Sequence, residues 1–501
     1  MVASVATVDL QGIEAHRVTV EANVGGGLPV FRLVGLPDAS VREAGDRVRS
    51  AIERSSFTWK QERVVVNLAP GRLQKAGTGF DLPVALAVLA ATDQLPPEVL
   101  RDVVALGELG LDGTLRGVPG VLPAAAAARR LGFARVVVPL ACAPEAALVD
   151  GIEVVAASDL RDAVEVLTGD RPRREVVAPP CRDEVAGPDL ADVRGQWIAR
   201  RAMEVAAAGG HHVLLVGPPG CGKSMLAQRL PGLLPPLTVD QALEVASIES
   251  VAGLRRPDAE LSMRPPFRAP HHGTSLAGLI GGGSGRPRPG EVSLAHQGVL
   301  FVDELLEAPR HVLDSLRQPI ESGQVVLTRA RGTVRYPATF QFVAATNPCP
   351  CGHDGSARRA CRCRPDQVAR YQQRLSGPLL DRLDLVVTLR PVDRRSLIGP
   401  SDGEPTAAVA QRVAQARVLA LARFGAPNRR ANPQQLRSTA TGAALCSVLA
   451  AAGALDLTAR SLDAVLRVAR TVADLAGAEL VEAAHVDEAV ALRAPALAAA
   501  A

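Results

Sequence analysis

One run of eight residues, Gly217-Pro-Pro-Gly-Cys-Gly-Lys223-Ser224, has the composition of a phosphate cradle. Across Gly217, Pro218, Pro219, Gly220, Cys221 and Gly222 the glycines let backbone N–H groups close around anionic oxygens at a helix N-terminus. Lys223 then supplies a compact ammonium for the β and γ oxygens of a nucleotide, and the Ser224 hydroxyl is a ligand for Mg²⁺. The flanks fit: residues 212–216 read as a short buried strand and 225–230 as a helix. A second apolar strand, 298–302, runs into Asp303 and Glu304. Asp303 is expected to hold the magnesium through water, and Glu304 to polarise the water that attacks the terminal phosphoryl group, yielding ADP and phosphate.

Three further groups of residues carry chemistry. An apolar strand at 340–346 ends at Asn347, placed to orient the attacking water, and Arg382 follows in Leu379-Leu-Asp-Arg-Leu-Asp-Leu. In a ring-shaped ATPase an arginine at that point reaches the neighbouring subunit's γ-phosphate and stabilises charge in the transition state. Cys349, Cys351, Cys361 and Cys363 form two C-x-C pairs across a short loop, the donor set of a structural Zn²⁺ site, with His353 able to replace one sulfur. Residues 324–335 read as a hairpin with Arg329 and Arg331 at its turn, and 281–289 as a glycine-rich loop with Arg286 and Arg288. Arginines so placed would follow phosphates without reading bases. His271 and His272 are expected to make structural hydrogen bonds rather than bind metal, and Cys142, Cys181, Cys221 and Cys446 to be inert thiols.

The chain that must position these groups has 501 residues, too many for one hydrophobic core, so two to four domains are expected. With 47% hydrophobic and 22% charged residues it is globular, and with 3% aromatics its cores must be built from Ala, Val and Leu. A net charge of +4 admits a nucleic-acid partner but excludes a dedicated DNA-coating protein. No long apolar run and no leader pattern is visible, so a cytoplasmic protein with no membrane partner is expected. Eight cysteines in such a chain read as free thiols or metal ligands. Short Val/Leu strands and Ala-rich helices alternate early, for instance at 63–68, 82–92, 121–131 and 134–138. The resulting division is an α+β domain over 1–168, a linker over 169–188, a second α/β domain over 189–392 and a helical domain over 393–501.

Several segments resemble the ComM/YifB family of magnesium-chelatase-like AAA+ ATPases over essentially the whole chain. They are Asp192-Val-Arg-Gly-Gln, the phosphate loop, Arg268-Ala-Pro-His-His, Gly290-Glu-Val-Ser-Leu-Ala-His-Gln-Gly-Val-Leu-Phe-Val-Asp-Glu, and Arg374-Leu-Ser-Gly-Pro-Leu-Leu-Asp-Arg-Leu-Asp-Leu. The resemblance implies an α/β multidomain protein: a Lon-protease-like, ribosomal-protein-S5-like α+β domain, an AAA+ P-loop domain and a C-terminal helical lid. It also implies a hexameric ring that hydrolyses ATP with Mg²⁺ and acts as a branch-migration helicase on single-stranded or branched DNA in natural transformation. The 324–335 hairpin would then point into the pore. Arg460, in Leu457-Thr-Ala-Arg-Ser-Leu, matches the family's nucleotide-sensing lid arginine, with Arg467 or Arg470 as alternatives. Lys75-Ala-Gly-Thr-Gly-Phe-Asp-Leu-Pro and Gly107-Glu-Leu-Gly-Leu-Asp-Gly-Thr-Leu-Arg look like Lon-type segments. They place Gly79 at the nucleophile's position and Leu122 at the base's. Neither can do that chemistry, so the domain should serve binding or assembly for an unknown partner. A chelatase-type or MoxR-type ATPase that remodels a protein partner is the other class of function the sequence admits.

Overall fold

The computed structural model describes residues 2–182, 187–283, 286–329, 332–355, 359–392, 403–455 and 457–493. Its first layer is a seven-stranded sheet in the order Val30–Val34, Arg63–Ala69, Glu14–Gly25, Val2–Gln11, Val103–Ala105, Arg135–Pro139 and Glu153–Ala157. The two long central strands pair antiparallel from Val2 opposite Asn23 to Gln11 opposite Glu14. The last three strands run parallel to one another, which demands crossover helices. Helix Asp81–Ala91 is buried at every position, and its only charge, Asp81, is neutralised by Arg47 at 2.6 Å. An all-apolar helix of this kind has no solvent face and must lie inside. Helix Val121–Arg130 packs into the separate core on the opposite face, where Ala242 and Ala246 of helix Val239–Ala252 complete it. Gly120 N–H donates to Ser250 Oγ at 3.1 Å across that junction.

The second sheet has five strands in the order Phe267–Arg268, Val299–Val302, Gln341–Thr346, Val213–Val216 and Leu385–Thr388, every pairing parallel. Three of these strands are buried along their entire length, the continuous apolar pattern of a sheet covered on both faces. Register places Val216 opposite both Thr346 and Thr388, so the carboxyl ends that precede the phosphate loop and Asn347 finish level. Open parallel sheets bind ligands at that edge.

Helices Trp197–Gly209, Thr406–Phe424, Ala459–Leu475 and Ala483–Ala491 share one buried cluster with Val213, Leu215, Val343 and Ala345 of the sheet. The C-terminal helices are thus packed onto the sheet rather than held apart from it. Within the stretch read as a linker, Arg171 ion-pairs with Asp162 at 2.7 Å, and Cys181–Arg182 pairs in parallel with Leu261–Ser262. Among the described residues no helix is long and apolar enough to cross a membrane.

Two antiparallel ribbons, Gln324–Arg329 with Gly332–Pro337 and Gly281–Gly282 with Arg288–Pro289, meet the first domain. Gly12, with φ +72°, sits against the carbonyl of Arg335 where any Cβ would collide. Tyr336 Oη donates to Pro287 O at 2.6 Å and ties the ribbons together.

Candidate nucleotide site

Strand Val213–Val216 delivers the chain into the phosphate loop, in which Gly220 and Gly222 take φ of +74° and +95°. That left-handed backbone costs a glycine little and turns N–H groups towards one point before helix Lys223–Leu233 begins. Lys223 is 8% exposed, and its ammonium donates to Gly217 O at 2.6 Å, Pro218 O at 3.1 Å and Asn347 Oδ1 at 3.0 Å. Burial pushes the ammonium below its ordinary value, while Cys221, Asp303 and Glu304 pull the other way. The ammonium is therefore held at the one place where incoming phosphate charge would gain most from it.

Ser224 Oγ donates to Asp303 Oδ2 at 2.7 Å, so the hydroxyl and the carboxylate share one small volume. These are hard oxygen donors of the kind that hold Mg²⁺ together with nucleotide phosphates, and the pairing fits that ion. Glu304 follows with φ +50°, unusual for a side chain of this size, and its N–H donates to Asp303 Oδ1 at 2.9 Å. The turn swings the Glu304 carboxylate out to His272, whose Nδ1 lies 3.0 Å from Oε2. Lys223, Ser224, Asp303, Glu304 and Asn347 all line one cavity of about 1050 Å³, large enough for a nucleoside triphosphate. Gln196 closes one side by donating to Cys221 O at 3.0 Å and to Arg390 O at 2.6 Å.

Arg382 and Arg460 are not in this cavity. Both meet at Glu321, Arg382 at 2.5 Å and Arg460 at 3.2 Å. Hydrogen bonding from Arg382, with the charge of both arginines, holds Glu321 below the usual carboxylate value. Arg470, named as an alternative to Arg460, is fully buried and pairs with Asp474 at 2.9 Å, a structural role that leaves it no access to ligand.

The four cysteines do converge. Their sulfurs lie within 4.8 Å of one another, with separations of 3.4 Å for Cys349–Cys351, 3.6 Å for Cys351–Cys361 and 3.7 Å for Cys349–Cys361. A tetrahedron with Zn–S bonds of about 2.3 Å has edges of about 3.8 Å, so the spacing fits zinc. Backbone N–H groups of Arg362 and His353 pull the Cys351 thiol down to about 6. His353 stands outside the sulfur cluster and lines the nucleotide cavity instead.

Of the four arginines expected at a channel, Arg288 and Arg329 are exposed on the two ribbons, and Arg331 lies outside the described residues. Arg286 is committed to the first domain: Nη2 lies 2.5 Å from Oδ1 of Asp9, a carboxylate that is 1% exposed. The charge count of the loop gave no hint of a buried partner 277 residues upstream. His271 accepts from Gly273 N–H at 3.0 Å, the structural role expected of it.

Three families of sequence account for most of the chain. Residues 189–397 match magnesium chelatase, subunit ChlI, 20–141 match the subunit ChlI of Mg-chelatase, and 403–493 match the C-terminal part of that subunit. The competence protein ComM of Haemophilus influenzae is 42% identical over 491 residues, covering 96% of each chain. The chain belongs to the ComM/YifB family of magnesium-chelatase-like AAA+ ATPases. YifB of Escherichia coli, another member, is 41% identical over 496 residues, 96% of this chain and 95% of its own. The DNA repair protein RadA of Aquifex aeolicus is 36% identical over 115 residues, 23% of this chain and 24% of its own. ATP and Mg²⁺ are the ligands this family implies, and the cavity built on Lys223, Ser224 and Asp303 suits them.

Proposed function

We propose that the protein is a hexameric ring ATPase that drives branch migration of DNA in uptake and recombination. The observation that carries the ATPase half of this reading is the cavity that Lys223, Ser224, Asp303, Glu304 and Asn347 line together from three separate segments. Lys223 binds the β and γ oxygens, Asn347 orients the attacking water, and Glu304, once swung in from His272, accepts its proton as ADP departs. Magnesium held by Ser224 and Asp303 would neutralise charge on those oxygens. Arg382 and Arg460, gathered at Glu321 outside the cavity, serve the site of the neighbouring subunit, which is why the ring is required.

The DNA half rests on Arg288 and Arg329 at the exposed ends of the two ribbons and on the ComM and RadA relatives, whose names speak of competence and DNA repair. Arg331 belongs to the same proposal, whereas Arg286 serves to fasten the ribbon to the first domain. Residues 1–168 form a Lon-like domain without protease chemistry, since Leu122 is 1% exposed and a side chain at Gly79 would face only Val118. Residues 169–188 link it to an ATPase domain over 189–392, followed by a lid over 393–501. The cysteine cluster holds structural zinc, and the protein works in the cytoplasm. The chelatase match over 189–397 favours a second reading, an ATPase that remodels a protein partner.

The test is ATP hydrolysis with and without single-stranded and four-way-junction DNA at fixed salt, with Glu304→Gln as control. Stimulation that disappears in the variant is expected. Hydrolysis indifferent to both DNAs across a range of salt would transfer the case to a protein substrate.

A further inference from the structure

The turn that carries the thiols is also a wall of the nucleotide cavity. Gly352, with φ +79°, follows Cys351, and a Cβ there would lie 2.6 Å from Cδ of Pro219 in the phosphate loop. The thiol turn therefore touches the cradle with nothing between them. Upstream it begins two residues after Asn347, which accepts from Lys223. Downstream, His353 and Arg359 line the cavity beside Lys223, Ser224 and Asp303, and both fall between Cys351 and Cys361 in sequence. Among the described residues Arg359 has no ion-pair or hydrogen-bond partner, in contrast to Arg382 and Arg460, which Glu321 holds elsewhere. Residues 354, 355, 359, 360 and 362 are exposed, so little apolar burial holds these described residues of the arm in place. The convergence of four sulfurs on one point ties Cys349 and Cys351 to Cys361 and Cys363.

We propose that the arm is a metal-braced clasp: zinc on Cys349, Cys351, Cys361 and Cys363 holds Arg359 over the nucleotide phosphates, making Arg359 a cis-acting ATP-binding residue. The proposal rests on the zinc reading above. A guanidinium offers phosphate two parallel charge-assisted hydrogen bonds, and their value depends on the chain being ordered before the ligand arrives. Closing the chain between Cys351 and Cys361 through a metal removes that ordering cost from the binding step.

The experiment measures binding of a fluorescent N-methylanthraniloyl-ATP with Mg²⁺ to the full chain. It compares wild type and Arg359→Ala, each zinc-loaded and chelator-stripped, with zinc content and melting temperature recorded for every sample. Zinc-loaded Arg359→Ala should keep its zinc and its melting temperature but bind the probe about tenfold more weakly. Stripping should weaken wild type by a similar factor and Arg359→Ala hardly at all, because both changes remove one contact. Unchanged binding by zinc-loaded Arg359→Ala, or equal loss on stripping in both proteins, overturns the clasp while leaving a structural zinc site intact. A chain that takes up no zinc overturns the metal reading itself and the clasp with it. If stripping unfolds the chain, the zinc-loaded Arg359→Ala comparison decides alone.

Discussion

Two charged clusters are built from different residues of this molecule. In the cavity, Lys223, Ser224, Asp303 and Asn347 meet from the ends of neighbouring parallel strands, and the Lys223 ammonium, the Ser224 hydroxyl, Asp303 Oδ2 and Asn347 Oδ1 have partners at 2.6–3.1 Å. At Glu321, one carboxylate holds two arginines from distant segments, and the carboxylate side chain is 56% exposed. The first cluster has the donors to grip a nucleotide, with Arg359 on the wall of the same cavity but neither Arg382 nor Arg460 in it. The second has two arginines, both held by that one carboxylate. The difference is what the proposed ring explains: the phosphate grip and Glu304 belong to one chain's cavity, whereas Arg382 and Arg460, held at Glu321, would serve the cavity of a neighbouring copy.

The sharpest way to break this comparison is Arg382→Ala. Hydrolysis by the assembled protein should fall about 10³-fold or more, with ATP affinity of the isolated chain unchanged; a loss of affinity instead would place Arg382 in the chain's own cavity. Next in size is Glu304→Gln, which should lower turnover about 10²-fold or more while leaving nucleotide binding near wild type, as read by a binding titration beside a phosphate-release assay. Glu321→Gln tests whether Glu321 restrains the arginines. Weakening an exposed pairing should change turnover only by about a few-fold, with no effect on stability beyond about 1 kcal/mol.

A third arginine extends the comparison, since Arg286 carries the same sequence signature as Arg288 yet pairs with buried Asp9. Burial raises the Asp9 carboxyl above its ordinary value, and Arg286 is the main influence opposing that rise. Arg286→Ala should therefore destabilise the fold by about 1–3 kcal/mol at neutral pH by leaving that carboxylate unpaired. An acid whose folded value is raised penalises the fold above that value and not below the unfolded one. The deficit should accordingly shrink as pH falls through the window down to about 3.8, measurable as converging melting temperatures of the variant and wild type. A deficit constant with pH would mean that Asp9 is not the group left unpaired.

How much of this was legible in the sequence follows from distance along the chain. The phosphate loop, Asp303, Glu304 and Asn347 each end an apolar strand, so local pattern alone located them, and parallel pairing then brought the strand ends level. The cysteines are close in sequence and could hardly avoid one another. Long-range partners left no such trace. Nothing in Arg268-Ala-Pro-His-His says that its strand lies beside Val299–Val302, which is what carries His272 to Glu304. Glu321 sits in an ordinary acidic helix end, and its two arginines lie 61 and 139 residues downstream. Arg171 on Asp162, within the stretch read as a linker, also left no trace, because low periodicity says nothing about ion pairs to a preceding helix.

The most direct test of the divided site is complementation. Lys223→Ala, expected to lose its grip on nucleotide, and Arg382→Ala, expected to fail its neighbour, would be co-expressed with different tags and the mixed assemblies purified through both. Each variant alone should be inactive. In mixed assemblies an intact Lys223 meets an intact Arg382 at some interfaces, so ATP hydrolysis should return to a readily measured fraction of wild type. Mixed assemblies as inactive as either parent would contradict a site shared between subunits.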